Sequence, residues 1–152
     1  MKDVDRNNRK FLFWQKWLYY TSLLFALFGL VLAFLGNNAI FRPYHRMLAQ
    51  LFYNQNVFPD STQTFYKFIL GPMGATIFVC YFLLACIAQY PFRKKERWAR
   101  NAIVAGFGIW YITDALVSIY YGAYFHTFVI HLLVSVPQKA LPIIFTWNEF
   151  KK

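Results

Sequence analysis

Leu23-Leu24-Phe25-Ala26-Leu27-Phe28-Gly29-Leu30-Val31-Leu32-Ala33-Phe34-Leu35 runs thirteen residues without a charge or a polar side chain. Extended back to Trp14, it supplies the roughly 20 apolar residues that a helix needs to cross hydrocarbon. Three further stretches of the same character follow, and the four predicted spans are 14–35, 68–90, 102–121 and 124–145. None shows the two-residue alternation of a membrane barrel strand. The predicted fold is therefore all-α: a polytopic membrane protein whose four transmembrane helices form an antiparallel bundle in a single domain over 1–152.

Composition excludes the water-soluble alternative. The 152 residues are 59% hydrophobic and 22% aromatic but only 14% charged, whereas a soluble domain carries roughly a quarter charged residues. Most of the aromatic load is expected in lipid or in interfacial belts, as at Trp14, Trp17, Trp98 and Trp147. The first span lacks a small-residue cleavage site after it, so it reads as an uncleaved helix and not a signal peptide.

The net charge of +10 arises from 16 Lys and Arg against 6 Asp and Glu. Lys2, Arg6, Arg9 and Lys10 precede the first span, the basic loop Arg93, Lys94, Lys95, Arg97 and Arg100 separates the second and third, and Lys151 and Lys152 end the chain. Cations in short flanks stay on the cytoplasmic side. Both termini are thus predicted to be cytoplasmic, in an inner membrane whose anionic lipids the flanks attract. Arg42, Arg46 and Lys67 fall on the opposite side. Division of the cations among separate flanks argues against a nucleic-acid partner, which would need one basic patch.

Between the first two spans, Pro43 opens a predicted short helix over about 43–53. Tyr44, Met47, Leu48, Leu51 and Phe52 recur there at helical spacing. Two placements are open for it: lying in the outer interface, or capping the mouth of the bundle. Asp60 or Ser61 is expected to cap the next helix. Gly71, Pro72 and Gly74 predict a kink in the second span, because proline removes a backbone hydrogen bond and crowds the preceding turn. Ala102, Ala105, Gly106 and Gly108 predict close helix approach along the third span. Cys80 and Cys86 stand six apart in one span, which fits neither a redox pair nor a metal pair.

Asp114 is the one acidic residue inside a span, and an intramembrane carboxylate is a site hypothesis by default. The third and fourth spans meet at a tight turn around Gly122. Asp114 lies eight residues before it and His131 nine after it, so both fall about 12 to 14 Å from the turn at 1.5 Å per residue. Helical spacing puts Phe107, Tyr111, Asp114, Ser118 and Tyr121 on one face, and Thr127, His131, Ser135 and Gln138 on the opposing one. Folding the hairpin directs Ser118 to Thr127, Asp114 to His131 and Tyr111 to Ser135. His126 is expected nearer the outer mouth, and Lys139 is expected to snorkel to the cytoplasmic interface.

Two readings of this constellation stand open. The polar stripes satisfy one another and hold the hairpin together, or Asp114 and His131 form a proton-responsive or ligand-orienting pair in a pocket lined by Trp110, Tyr111 and the kinked second span. Histidine changes protonation near neutral pH, and a carboxylate partner favours its charged form. No catalytic residue, phosphate loop, zinc spacing or serine nucleophile motif is present, and no metal is expected. The cofactor is unknown; haem has only His126 or His131 as a ligand, with His45 in the loop as the one other histidine.

The stretches Leu70-Gly71-Pro72-Met73-Gly74-Ala75-Thr76, Tyr90 to Ala99 and Trp110 to Asp114 resemble small bacterial four-helix membrane proteins of the DoxX-like kind. That resemblance implies a compact four-helix bundle without an assigned reaction. The chain is also similar in size to the four-span sterol isomerase group, from which it departs in having Asp114 as its sole intramembrane acid. The expected function is an inner-membrane protein that binds a lipid-like or other apolar small molecule, with membrane lipids as its surroundings. Its rivals are an accessory or scaffold subunit bound to another membrane protein, and a homo-oligomeric proton or ion pathway.

Overall fold

A computed structural model describes residues 2–150, with side chains from residue 6 onward. Lys151, Lys152 and the Lys2 side chain, counted above among the basic flanks, lie outside what it describes. Every regular element among the described residues is helical. Helix α1 is Lys2–Leu35, a short 3-10 turn Ala39–Phe41 leads into α2 at Arg42–Tyr53, α3 is Asp60–Ile87, α4 is Arg97–Tyr120 and α5 is Val136–Thr146. Two π-helical segments, Ala88–Phe92 and His126–Ser135, extend α3 and precede α5. Continuous helical stretches Arg6–Leu35, Asp60–Phe92, Arg97–Tyr120 and His126–Phe150 are each long and apolar enough to cross a membrane.

The short helix between the first two spans is α2. Pro43 sits in its first turn, and Asn54 closes it in the left-handed conformation at φ 53°, with its N–H donated to the Gln50 carbonyl at 3.1 Å. Asparagine is one of the few residues that takes up that conformation readily. The second long helix begins earlier than hydropathy indicates, at Asp60, because its first two turns are polar but helical. Asp60 lies in that first turn, where a carboxylate complements the helix dipole.

The chain forms two compact units: one from the chain ends, up to Leu23 and from Leu83 onward, and one from Leu24–Phe82. In the Leu24–Phe82 unit, Leu32, Phe41 and Leu70 form a buried cluster joined by Val31, Tyr66 and Ile77. Here α1 and α3 touch backbone to backbone. A Cβ on Gly74 would stand 2.4 Å from Ala33 N and 2.5 Å from Gly29 O, and one on Gly29 would stand 2.5 Å from Phe78 N. Gly74 is therefore a packing glycine as well as part of the stretch where the sequence predicts a kink, and α3 is helical throughout Gly71, Pro72 and Gly74. Gly106 and Gly108, expected to permit close approach, are open: a Cβ added at either would meet nothing within 4 Å.

In the other unit, Phe11, Phe92 and Phe150 form a buried aromatic cluster, with Phe11 and Phe92 stacked at 5.9 Å. The basic loop clamps the C-terminal turn. Lys95 Nζ pairs with Glu149 Oε2 at 2.7 Å, Arg97 Nε donates to the Phe150 carbonyl at 2.8 Å, and the Arg100 guanidinium lies 4.0 Å over the Trp147 ring. Arg93 and Lys94 are exposed.

Candidate functional site

The site is built on the chain reversal between α4 and the His126–Ser135 segment. Gly122 takes φ 73°, and the N–H groups of Gly122 and Ala123 bond to the carbonyls of Ile119 and Ser118 at 3.0 and 2.7 Å. That conformation suits glycine, which lacks the Cβ that would clash. The reversal brings Asp114 against His131 as the residue count from Gly122 predicts: His131 Nε2 lies 2.5 Å from Asp114 Oδ2.

A second histidine reaches the same oxygen. His126 Nε2 stands 3.5 Å from Asp114 Oδ2, and the two imidazole rings meet edge to face at 4.5 Å. An α-helical period of 3.6 places His126 away from this contact, because residues five apart then point about 140° apart. The segment is π-helical instead, with the Val136 N–H bonded to the His131 carbonyl five residues back. Such wide turns bring residues five apart closer to one face than an α-helix does. Pro137 follows the segment in the first turn of α5, where its ring crowds the carbonyl four residues earlier and it lacks an N–H to close an α-turn. Pro91 lies inside the other π segment, and there the buried Gln15 amide donates to the Ala88 carbonyl at 3.0 Å.

The surroundings of the triad are mixed. Ser118 Oγ donates to Asp114 Oδ2 at 3.4 Å. Trp110 packs edge-on to the His131 ring at 4.7 Å, with Tyr111 farther away at 6.2 Å. His131, Thr127, Ser135 and Gln138 are buried. His131 Nδ1 and Thr127 Oγ1 are buried without a hydrogen-bond partner. Asp114 and His126 side chains keep 31% and 23% exposure, so the centre is not sealed. A carboxylate oxygen only accepts, which places the His131 proton on Nε2 and leaves Nδ1 as an acceptor in the neutral ring.

Two expected positions are corrected. Lys139 does not extend towards the end of its helix: it is buried, its ammonium donates to the Ser135 carbonyl at 3.2 Å and lies 4.3 Å over the Phe107 ring. Gln138 leaves the Asp114 stripe and donates to Thr21 Oγ1 of α1 at 2.9 Å and to Ser22 Oγ at 3.3 Å.

A separate cavity of about 990 Å³ belongs to the Leu24–Phe82 unit. Arg42, Arg46 and Lys67 line it together with His45, Phe58 and Tyr66, and no acidic residue is among its lining residues. Burial lowers the His45 pKa below its ordinary 6.5, since low-dielectric surroundings disfavour the imidazolium. Sequence reasoning did not find this cavity, because its lining is drawn from α2, its flanking loops and the polar first turns of α3. No known protein family, curated protein or solved structure matches the chain.

Proposed function

We propose that this chain is an integral membrane protein that holds the polar end of an apolar or amphipathic small molecule, of the lipid, isoprenoid or quinone kind, at the Asp114–His131 centre. The observation that carries the reading is a carboxylate within an apolar helix, gripped on one oxygen by two imidazoles and still partly exposed. A group of this kind is costly in hydrocarbon unless paired. Its remaining exposure leaves room for a hydroxyl, carbonyl or headgroup to approach. The same reading places both termini on the cytoplasmic side of a bacterial inner membrane and the fold among small DoxX-like bundles, with the basic flanks as support.

Native mass spectrometry of the full chain extracted from its own membrane tests this. The parent is expected to carry a bound small molecule that the folded Asp114→Asn variant loses. Equal retention by both would overturn the assignment of the ligand to this centre.

The accessory-subunit reading has one observation of its own. Ala102, Ala105 and Gly106 are exposed on α4, and a Cβ at Gly106 would meet nothing within 4 Å. Small residues let another helix approach closely, so a defined larger complex in mild detergent is the outcome that favours it.

A further inference from the structure

We propose that Asp114, His126 and His131 form a binding site for a divalent first-row transition-metal ion of the zinc(II) or iron(II) class. The inference goes beyond the small-molecule reading and stands without it. One ligand atom from each of the three residues lies within 4.8 Å of the other two. Two imidazoles and one carboxylate are a donor set that suits zinc and non-haem iron, and three protein ligands leave at least one coordination position open.

The three ligand atoms lie within 4.8 Å of one another and close on an ion by shifts on the order of an ångström. Metal–ligand bonds of about 2.0 to 2.2 Å in tetrahedral geometry put neighbouring donor atoms about 3.3 to 3.6 Å apart. His126 Nε2 and Asp114 Oδ2 are already at 3.5 Å, while the 2.5 Å contact of His131 must open by roughly 0.8 to 1.1 Å to admit an ion. Both rings present Nε2 to the carboxylate, so both reach a common point through the same atom. The π-helical backbone makes this convergence a property of the fold, because an α-helical turn would direct His126 elsewhere.

The unpartnered buried atoms point the same way. When a neutral imidazole binds metal through Nε2, its single ring proton sits on Nδ1, which becomes a donor in need of an acceptor. His131 Nδ1 is buried without a partner, and Thr127 Oγ1, four residues before it, is a buried hydroxyl without one. The binding step thus moves the His131 proton from Nε2 to Nδ1 and exchanges the Nε2–H···Oδ2 contact for two bonds to the ion. Ser118 Oγ already donates to the same carboxylate oxygen, Asp114 Oδ2.

The test uses the full chain in detergent, stripped with a chelator and titrated with zinc(II) alone against a chromophoric competitor. One ion per chain is expected, with affinity at least a hundredfold lower in His126→Ala and in Asp114→Asn and unchanged in His45→Ala. His126 is partly exposed, so its replacement decides the matter even if the Asp114 variant does not fold. Absence of saturable binding in the parent, or parent-like affinity in His126→Ala, would overturn the site. Zinc affinity is read on delipidated protein, so its loss or retention is independent of whether an apolar ligand is found at the same centre.

Discussion

The α1–α3 contact at Gly29 and Gly74 and the contact of α4 with the following π segment at Asp114 and His131 join apolar helices by opposite means. At the first, the side chains are absent and backbone meets backbone, with the Gly74 Cβ position 2.4 Å from Ala33 N. At the second, side chains do the joining, through a 2.5 Å imidazole–carboxylate contact. Hydrocarbon-embedded helices gain no hydrophobic drive from touching one another, so close packing and polar contacts must replace it. The difference has a functional side. A glycine junction leaves no volume and no reactive group, whereas a polar junction leaves ionisable atoms that a ligand or ion can use.

Enlarging the glycine junction gives the largest expected effect. Gly74→Leu has no flexible neighbour to push aside, only the Ala33 and Gly29 backbone, so the helices must separate. Overpacking of this kind costs about 3 kcal/mol, read as a lower thermal midpoint of the detergent-solubilised protein. Gly71→Ala, three residues away on the same helix, has nothing within 4 Å of its Cβ and is expected to be neutral or to stabilise by about 0.5 to 1 kcal/mol through helix propensity. Equal losses in the two variants would show that α3 is sensitive as a whole and that the junction has no special place.

The polar junction should respond more weakly. A double-mutant cycle on Asp114→Ala and His131→Ala is expected to give a coupling of about 0.6 to 1.7 kcal/mol, the range found for interhelical hydrogen bonds in membranes. Additive single losses would mean that the clasp contributes nothing and that Asp114 is held there by something other than His131. A coupling larger than the Gly74→Leu loss would reverse the order of the two junctions.

Those two junctions were unequally visible in the amino-acid sequence. Four apolar stretches were legible because hydropathy is a local property, and the Asp114–His131 contact was legible because a tight turn at Gly122 makes opposing positions a matter of counting. His126 was not, since counting assumes an α-helical period and the His126–Ser135 segment is π-helical. The packing role of Gly74 was hidden for a related reason: it depends on Gly29 and Ala33, more than 40 positions earlier, and no local pattern links them. The clamp of Lys95 and Arg97 on residues 149–150 was hidden likewise, because charge counting treats the loop as a topology signal alone. Contacts between distant segments need the fold; periodicity within one segment does not, until a π-helical turn changes the period.

The smallest expected effect lies at the cavity in the glycine-joined unit, and it separates a buried imidazole with a carboxylate from one without. His45 stacks on Phe41 at 6.3 Å and meets the Tyr66 ring edge-on at 5.2 Å. The charged groups lining the cavity with it are the cations Arg42, Arg46 and Lys67, while Tyr44 of its own helix and Tyr66 of α3 are neutral phenols. Its folded pKa is lowered by burial, so at neutral pH the ring is uncharged in the folded and largely uncharged in the unfolded chain. As pH falls below 6.5 the unfolded state takes up a proton that the folded state resists, and stability is lost in that window. Hydrogen exchange over residues 39–53 should therefore speed up between pH 7.5 and 5.5 in the parent, and that acceleration should be absent in His45→Gln once intrinsic exchange rates are divided out. An unchanged pH response in His45→Gln would place the titrating group elsewhere, whereas its loss would show that burial, with only cations nearby, keeps the His45 imidazole neutral.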